Sequence, residues 1–210
     1  DLANLTSASS GVTPVSSLTH GYVHGIVASA NFDKFAFAST SNATGVNNLS
    51  FNHGGSHGGG ATDSRNDYGY VASGAGPAIT AIERFSFANE NNQDDVGDVV
   101  EVGGQASGCS SETNGYFLGG NAPPGASGTN IQRYAFASSG NSTSVGTLSA
   151  SGSGRGNGMS SQTHGYVTGG EVHFTQIDKF SFANETTWND VGDLGSGVTT
   201  NRCHHSSSHF

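Results

Sequence analysis

Histidine is the residue type in this chain with the clearest capacity for chemistry, because closely spaced imidazoles can bind zinc, copper or nickel. The chain has nine His among its 210 residues. Five of them form two closely spaced groups: His53 with His57, and His204 with His205 and His209. A metal site normally also orients its histidines with carboxylates, and no Asp or Glu recurs beside these five. They are the candidate metal ligands, with a flexible Gly-rich surface loop as the alternative, and no cofactor is expected.

Two pairs of carboxylates are a second candidate for metal binding. Asp95 and Asp98 are three residues apart, as are Asp190 and Asp193. Calcium takes about six to eight oxygen ligands, and two carboxylates with Asn nearby can begin such a site. The alternating Asp/Asn spacing of a dedicated calcium loop is absent, so we expect these residues to form turns.

The two cysteines offer a disulfide or a nucleophile. Cys109 and Cys203 are 94 residues apart (203−109). His204 would point to the opposite face of a strand from Cys203. His205 would share the face of Cys203, but a third, orienting group is missing. We expect two free, buried thiols, and we predict no catalytic residue.

The charge balance argues against nucleic acid as a partner, and the lack of a long apolar run argues against membrane insertion. Seven Lys and Arg against 16 Asp and Glu give a net charge of −9, so the chain lacks the basic footprint of a nucleic-acid-binding protein. No apolar run approaches the roughly 18–20 residues of a membrane span, so no membrane insertion is expected. Gly accounts for 33 residues, which suits short strands joined by tight turns.

A repeated pattern organises the whole chain. Gly-Tyr recurs at spacings of 48, 46 and 50 residues (69−21, 115−69, 165−115). A tetrad with a basic third residue and an aromatic fourth residue follows each Gly-Tyr, and a short apolar pair ends each repeat. The four repeats span about 3–49, 50–99, 100–148 and 149–194, and residues 195–210 resemble the first strand of a further repeat.

Each repeat predicts four short strands. The last repeat shows them as Gly156–Thr163, Gly165–Gly170, Gln176–Ala183 and Trp188–Leu194. No segment has the apolar stripe of an amphipathic helix. Four antiparallel strands in about 48 residues are the unit of a β-propeller blade, with small side chains near the axis and aromatics between blade faces. The sequence therefore predicts an all-β propeller.

The basic residues follow the same repeat. Residues that recur in every repeat serve the repeat, because an active site needs a unique constellation. We therefore expect salt bridges or hydrogen bonds between blades. One repeat position holds Lys34, Arg84, Arg133 and Lys179, another holds Arg155 and Arg202, and Arg65 lies outside this scheme.

These residues resemble the kelch repeat, which runs from a basic residue through an aromatic strand ending in Gly-Gly to a Trp and a closing Leu. The last repeat matches best, with Arg155, Gly165–Val167, Gly169–Gly170, Ile177–Phe180, Trp188 and Leu194. The third repeat keeps the Gly pair without the Trp, and the first two lack both. The run Ile177–Ala183 followed by Asp190–Leu194 also resembles repeat proteins of marine tailed phages. Both resemblances imply a propeller, and the second implies a virion protein.

The number of blades has two solutions. Asp1-Leu2 corresponds to Asp193-Leu194, four periods of 48 residues later (193−1 = 192), so a closed ring of four blades would make one end strand redundant. Either the chain is an incomplete set of blades from a longer propeller, or neighbouring subunits supply the missing strands. We favour the incomplete set of blades.

The function that these features predict is non-enzymatic. We expect a structural or adhesive domain in a virion appendage (tail, fibre or decoration protein) or an extracellular surface assembly. Its loops would present low-charge residues for protein or glycan recognition. The expected partners are other copies of itself, other virion or surface structural proteins, and a host glycan or receptor, in a symmetric homo-oligomer.

The alternative is an enzyme on a kelch-type propeller, similar to the copper oxidases related to galactose oxidase. Such an enzyme implies a redox metal held by Tyr and His, with one Tyr crosslinked to a Cys. Five of the six tyrosines are explained by the repeats or adjoin them, and Tyr68 is the exception.

Overall fold

The fold is all-β in the computed structural model of the chain. The structure describes residues 3–7, 12–25, 31–50, 58–74, 79–90, 93–104, 106–120, 128–149, 156–169, 175–195 and 205–206. Seventeen strands, β1 to β17, lie in these ranges. In this part of the chain there is no helix of the length and apolarity needed to cross a membrane.

Sixteen of the strands form four antiparallel sheets, each with its strands in chain order. We call these sheets blades 1 to 4. Blade 1 contains β1 (Thr13–Ser16), β2 (His20–His24), β3 (Asn31–Ala36) and β4 (Thr44–Asn48). Blade 2 contains β5 (Gly59–Asp63), β6 (Tyr68–Gly74), β7 (Ile79–Ser86) and β8 (Gln93–Asp98). Blade 3 contains β9 (Ser107–Ser110), β10 (Asn114–Leu118), β11 (Asn130–Ala135) and β12 (Thr143–Thr147). Blade 4 contains β13 (Asn157–Ser160), β14 (His164–Thr168), β15 (Gln176–Ser181) and β16 (Asn184–Asp193).

The strand boundaries differ from the sequence prediction where turns begin. In blade 4 the first strand ends at Ser160, because Ser161–Thr163 forms a turn in which the Ser161 hydroxyl accepts a hydrogen bond from the His164 amide. The third strand ends at Ser181, since Phe182 and Ala183 form a tight turn. The fourth strand then begins at Asn184, which pairs with Ser181, four residues before the predicted start.

The recurring Gly-Tyr has a packing explanation. In each blade this Gly lies opposite the aromatic fourth residue of the tetrad, as Gly21 lies opposite Phe35 and Gly165 opposite Phe180. The aromatic ring covers the glycine, and a Cβ at Gly21 or Gly165 would overlap that ring. The Gly therefore makes room for a ring that any other residue would displace.

Small residues allow the innermost strands to meet at the axis. A Cβ at Gly108 would overlap the carbonyl oxygen of Gly60, and a Cβ at Gly158 would overlap that of Gly108. Serine hydroxyls join the same strands, because the Ser110 hydroxyl accepts from the Thr62 amide at 2.8 Å and the Ser160 hydroxyl accepts from the Ser110 amide at 2.9 Å. The Gly- and Ser-rich composition of these strands is thus a requirement of close backbone approach.

The hydrophobic core lies between adjacent blades. One cluster joins blades 1 and 2, a second joins blades 2 and 3, and a third joins blades 3 and 4. Among the described residues no cluster joins blade 4 to blade 1, so the blades do not close into a ring. A short strand, β17 (His205–Ser206), pairs in parallel with Gly158 and Met159 of β13.

Candidate functional site: blade interfaces and open faces

Most of the predicted metal ligands lie outside the described residues. This holds for His53, His57, His204 and His209, and also for Cys203. His205 lies on β17, where its backbone pairs with Gly158. Within the described ranges, no group of three or more His, Cys, Asp or Glu residues is arranged to hold a metal ion.

Cys109 is a free thiol in the core between blades 3 and 4. It is completely buried, and this burial raises the pKa of the thiol well above its usual value. A thiol with a raised pKa is a poor nucleophile at neutral pH. Cys109 therefore acts as a small apolar side chain on the inner strand.

The paired carboxylates lie on the outermost strands β8 and β16, so the prediction that they form turns is wrong. The carboxylates of Asp95 and Asp190 accept from the amides of Gly97 and Gly192 at 3.2 and 3.0 Å. The Asp98 carboxylate accepts from the hydroxyl of Thr80. These contacts hold local bends in the outer strand, where both glycines have positive φ values of about 150°.

Two acidic residues join neighbouring blades through what we call carboxylate clamps. Glu185 of blade 4 accepts from the Tyr116 hydroxyl at 2.7 Å and from the Arg133 guanidinium at 2.6 Å, both in blade 3. Glu90 of blade 2 binds the Tyr22 hydroxyl and the Lys34 ammonium of blade 1 in the same way. The predicted salt bridges between blades are therefore present at Lys34 and Arg133.

The interface between blades 2 and 3 uses a different arrangement. Arg84 pairs within its own blade, with Asp94 at 2.7 Å, and its guanidinium lies over the Tyr68 ring at 4.7 Å. The prediction of a salt bridge between blades is therefore wrong for Arg84. The position of the clamp glutamate is occupied in blade 3 by Ser139, which has no carboxylate to offer.

Backbone hydrogen bonds replace the clamp at this interface, in what we call the loop contact. The Gly140 amide donates to the Val96 carbonyl at 2.6 Å, and the Ser142 amide donates to the Asp98 carbonyl at 2.8 Å. The Asn141 side chain also accepts from the Asp98 amide at 3.1 Å. A loop of blade 3 is thereby joined to the outermost strand of blade 2.

The remaining described basic residues do not form clamps. Arg65 lies 3.4 Å from Glu112 of blade 3, and both side chains are mostly exposed. The ammonium of Lys179 lies over the Tyr166 ring at 5.8 Å. Arg155 and Arg202 lie outside the described residues.

An aromatic stack occurs at all three interfaces. The Gly-Tyr tyrosine of one blade stacks on a phenylalanine of the next, with ring centroids 4.9 Å apart for Tyr22–Phe87, 4.8 Å for Tyr70–Phe136 and 5.2 Å for Tyr116–Phe182. Burial raises the pKa of Tyr70 to about 12. Burial also raises the pKa of Tyr22 and Tyr116, with the neighbouring glutamates adding to the effect.

The second residue of each tetrad is a buried polar residue. Its side chain accepts hydrogen bonds from the segment that precedes the first strand of the same blade. The Asp33 carboxylate accepts from the Thr6 amide and hydroxyl, both at 2.6 Å. Glu83 accepts from the Ser50 amide at 2.7 Å, and Asp178 binds the amide and hydroxyl of Ser149. The group is completed by Gln132, and all four residues are at most 1% exposed. These residues anchor the chain between blades.

The sequence analysis missed the clamps and these anchors. The signal for the anchors was present, because an acidic or amide residue recurs at the second position of all four tetrads. The signal for the clamps was an alternation, since Glu90 and Glu185 occur in the second and fourth repeats while Thr40 and Ser139 replace them in the first and third.

Comparison with known proteins identifies the fold and no family. No protein-family model matches the chain, and no curated protein matches its sequence. A solved structure titled "Structure of YjhT" is similar to this chain, with a TM-score of 0.73 at 10% sequence identity. The similarity covers 91% of this chain and 67% of that chain. Together with the four antiparallel blades, this similarity shows that the chain has a propeller-like fold.

Proposed function

We propose that this chain is a non-enzymatic structural and adhesive domain, built of kelch-like repeats, in a virion appendage or an extracellular surface assembly. Its partners would be other copies of itself, other structural proteins of the same assembly, and a host glycan or receptor. The resemblance of Ile177–Ala183 and Asp190–Leu194 to repeat proteins of marine tailed phages supports the virion setting.

The observation that carries the proposal is that, within the described ranges, the basic, tyrosine and cysteine side chains are engaged in contacts within and between blades. The five described basic residues all contact a carboxylate or an aromatic ring. Three of the interface tyrosines and Cys109 are buried and have raised pKa values. Groups committed to blade packing support a scaffold rather than a reaction centre.

The binding surface that we propose is the end of the propeller where the first and third strands of each blade finish. Turns at this end are held rigidly. The hydroxyls of Ser17, Ser111 and Ser161 each accept an amide hydrogen bond from the residue three positions later, at 3.0 to 3.1 Å. The tips of these turns present Leu18, which is 75% exposed, and polar residues such as Gln162. A rigid, low-charge loop surface suits glycan recognition because little ordering entropy is lost on binding.

Two measurements on the purified chain test this proposal. A glycan array, read with and without a chelator, is expected to show chelator-independent binding that is weakened about 10-fold or more by L18D or Q162A. Val100→Ser is the matched control, because Val100 is 58% exposed at the opposite end of the propeller. Metal analysis is expected to give no stoichiometric copper or zinc. One equivalent of copper with oxidase activity would instead establish the enzyme.

A further inference from the structure

The true repeat of this protein is a pair of blades. Blades 2 and 4 share the clamp residues Glu90 and Glu185 and the run Asp-Val-Gly-Asp at 95–98 and 190–193. Blades 1 and 3 instead share the run Ala-Phe-Ala-Ser at 36–39 and 135–138, where blades 2 and 4 have Ser-Phe-Ala-Asn. We call blades 1 and 3 first-kind and blades 2 and 4 second-kind. Clamps occur from first-kind to second-kind, and the loop contact occurs from second-kind to first-kind.

The outer face of blade 4 repeats a face that is buried in blade 2. Val191 occupies the position of Val96, yet Val191 is 51% exposed and Val96 is 9% exposed. Met159 occupies the position of Ala61, and their exposures are 36% and 0%. Blade 4 therefore carries the residues of a second-kind interface without the first-kind blade that covers them in blade 2.

The outer face of blade 1 is the matching half. Phe37 occupies the position of Phe136, which stacks on Tyr70, and their exposures are 56% and 6%. A cavity of about 620 Å³ lies where the tyrosine would be, lined by Leu5, Phe35, Phe37 and Ala43 among others.

The rim of this cavity is already formed. The Asn42 side chain accepts from the Asn4 amide at 3.0 Å, and the Ala43 amide donates to the Asn4 carbonyl at 2.9 Å. The same two bonds join Asn141 and Ser142 to Asp98 in the loop contact. Residues 3–7 therefore take the place of the end of a second-kind outer strand, and Asn4 rather than the predicted Asp1 stands at the position of Asp98. The aromatic position beside them is unfilled in the described part of the chain.

We propose that the opening between blade 4 and blade 1, where β17 lies beside β13, binds one further pair of blades of this same repeat, first-kind followed by second-kind. The inner strand of the incoming first-kind blade takes the place that β17 has in the 210-residue chain. The incoming first-kind blade covers Val191 and Met159 through a loop contact. The incoming second-kind blade places its Gly-Tyr tyrosine on Phe35 and Phe37. Neither junction requires a new ion pair, since Thr40 stands where a clamp would need Glu.

The size of the opening agrees with a pair of blades. The similarity covers 91% of this chain and 67% of the similar chain, so the third that is left uncovered has about the length of two repeats of 48 residues. A second copy of the 210-residue chain has four blades, which is twice the number that the opening accommodates. This inference stands on packing alone and does not rest on the proposed binding function, so failure of the glycan assay leaves it intact.

Extended chains test the inference. One variant inserts a second copy of residues 101–195 after Gly195, and another inserts residues 7–100 there, so both add a first-kind and then a second-kind blade. We expect the Tm of both to rise by about 10 °C or more, since two exposed faces become buried. The matched control inserts residues 51–149, which adds similar length in the opposite order, and we expect no comparable rise.

A single substitution provides the second readout. Phe37→Asp is expected to change the Tm of the 210-residue chain by less than about 2 °C, and that of the extended chains by about 8 °C or more. Equal effects in both backgrounds would overturn the inference, as would an extended chain that does not fold or gains nothing. Self-association of the 210-residue chain that Phe37→Asp abolishes would also overturn it, because a second copy would then be the occupant.

Discussion

The interface between blades 3 and 4 and the interface between blades 2 and 3 bury the same aromatic stack but secure its rim differently. Glu185 holds Tyr116 and Arg133 across the first interface through side chains alone. Backbone groups of Gly140 and Ser142 cross the second interface, while Arg84 stays within its own blade. The axis and the stack are therefore shared by both junctions, and the two kinds of blade differ only at the rim.

This difference teaches which contacts define a blade and which select its neighbour. Glycine contacts at the axis and the tyrosine–phenylalanine stack are common to every junction, so they favour any blade of this repeat. A clamp requires Glu on the following blade, and a loop contact requires the turn after the third strand of a first-kind blade. The carboxylate clamps and the loop contact therefore determine which kind of blade can follow which.

The largest effect we expect is alkaline unfolding, because all three interfaces contain a buried tyrosine. The pKa of Tyr70 rises from 10.0 to about 12, and those of Tyr22 and Tyr116 also rise. Because these tyrosines lose their protons at a lower pH in the unfolded chain than in the folded chain, their contribution to the free energy of unfolding is fully present below pH 10. This contribution decreases as the pH rises above 10. The loss is about 1.4 kcal/mol per pH unit for each tyrosine. Urea unfolding at pH 9 to 11.5, followed together with tyrosinate absorbance, measures it. Ionisation of these tyrosines in a chain that stays folded would contradict the prediction.

The axis is expected to be equally intolerant at both kinds of junction. Gly108→Ala places a methyl group on the carbonyl of Gly60, and Gly158→Ala places one on the carbonyl of Gly108. Each is expected to cost about 3 kcal/mol or more, because backbone cannot move aside as a side chain can. Gly45→Ala is the control, since a Cβ there meets nothing within 4 Å. Thermal unfolding by circular dichroism gives the comparison, and a tolerated Gly108→Ala would show that the axis is loosely packed.

Removal of a clamp is expected to have a smaller effect that is confined to one kind of junction. Glu185→Ala leaves the buried Tyr116 hydroxyl without its acceptor and Arg133 without its partner, at a cost of about 2–3 kcal/mol. Glu112→Ala is the matched control, because its pair with Arg65 is exposed and is expected to contribute at most about 0.5 kcal/mol. Chemical denaturation measures both variants. Equal losses would mean that the clamp contributes no more than a surface ion pair.

The smallest effect is expected from transplanting a clamp to the other kind of junction. Ser139→Glu puts a carboxylate at the position of Glu185, near Tyr70 and Arg84. Because Arg84 must leave Asp94 to use it, we expect a gain of only about 0.5–1 kcal/mol. The gain should disappear in the presence of Tyr70→Phe if the tyrosine hydroxyl is the donor. A loss of stability instead would show that the loop contact and a clamp exclude one another.

The sequence predicts the elements that recur four times. Gly-Tyr, the tetrad and the small-residue strand identify the blade, and the structure confirms an all-β fold of four antiparallel sheets. The shared surroundings of Phe87, Phe136 and Phe182 also agree with the prediction, since each packs against a tyrosine of the blade before it.

The site was harder to predict because its contacts are long-range and recur only twice. Glu185 meets Tyr116 across 69 residues and Glu90 meets Tyr22 across 68 residues, so no local pattern connects them. A carboxylate in a tetrad such as Asp33 resembles a solvated strand residue until its burial is known. The ligand roles of the candidate histidines stay predictions.

The buried anchors give the fold a direction in time. Asp33, Glu83 and Asp178 each grip a residue that precedes them by 27 to 33 positions. During synthesis, the segment that donates these hydrogen bonds is therefore made well before the carboxylate that accepts them. Each blade can be fastened to the preceding blade only after its third strand has been synthesised. Synthesis from the N-terminus therefore adds completed blades one after another.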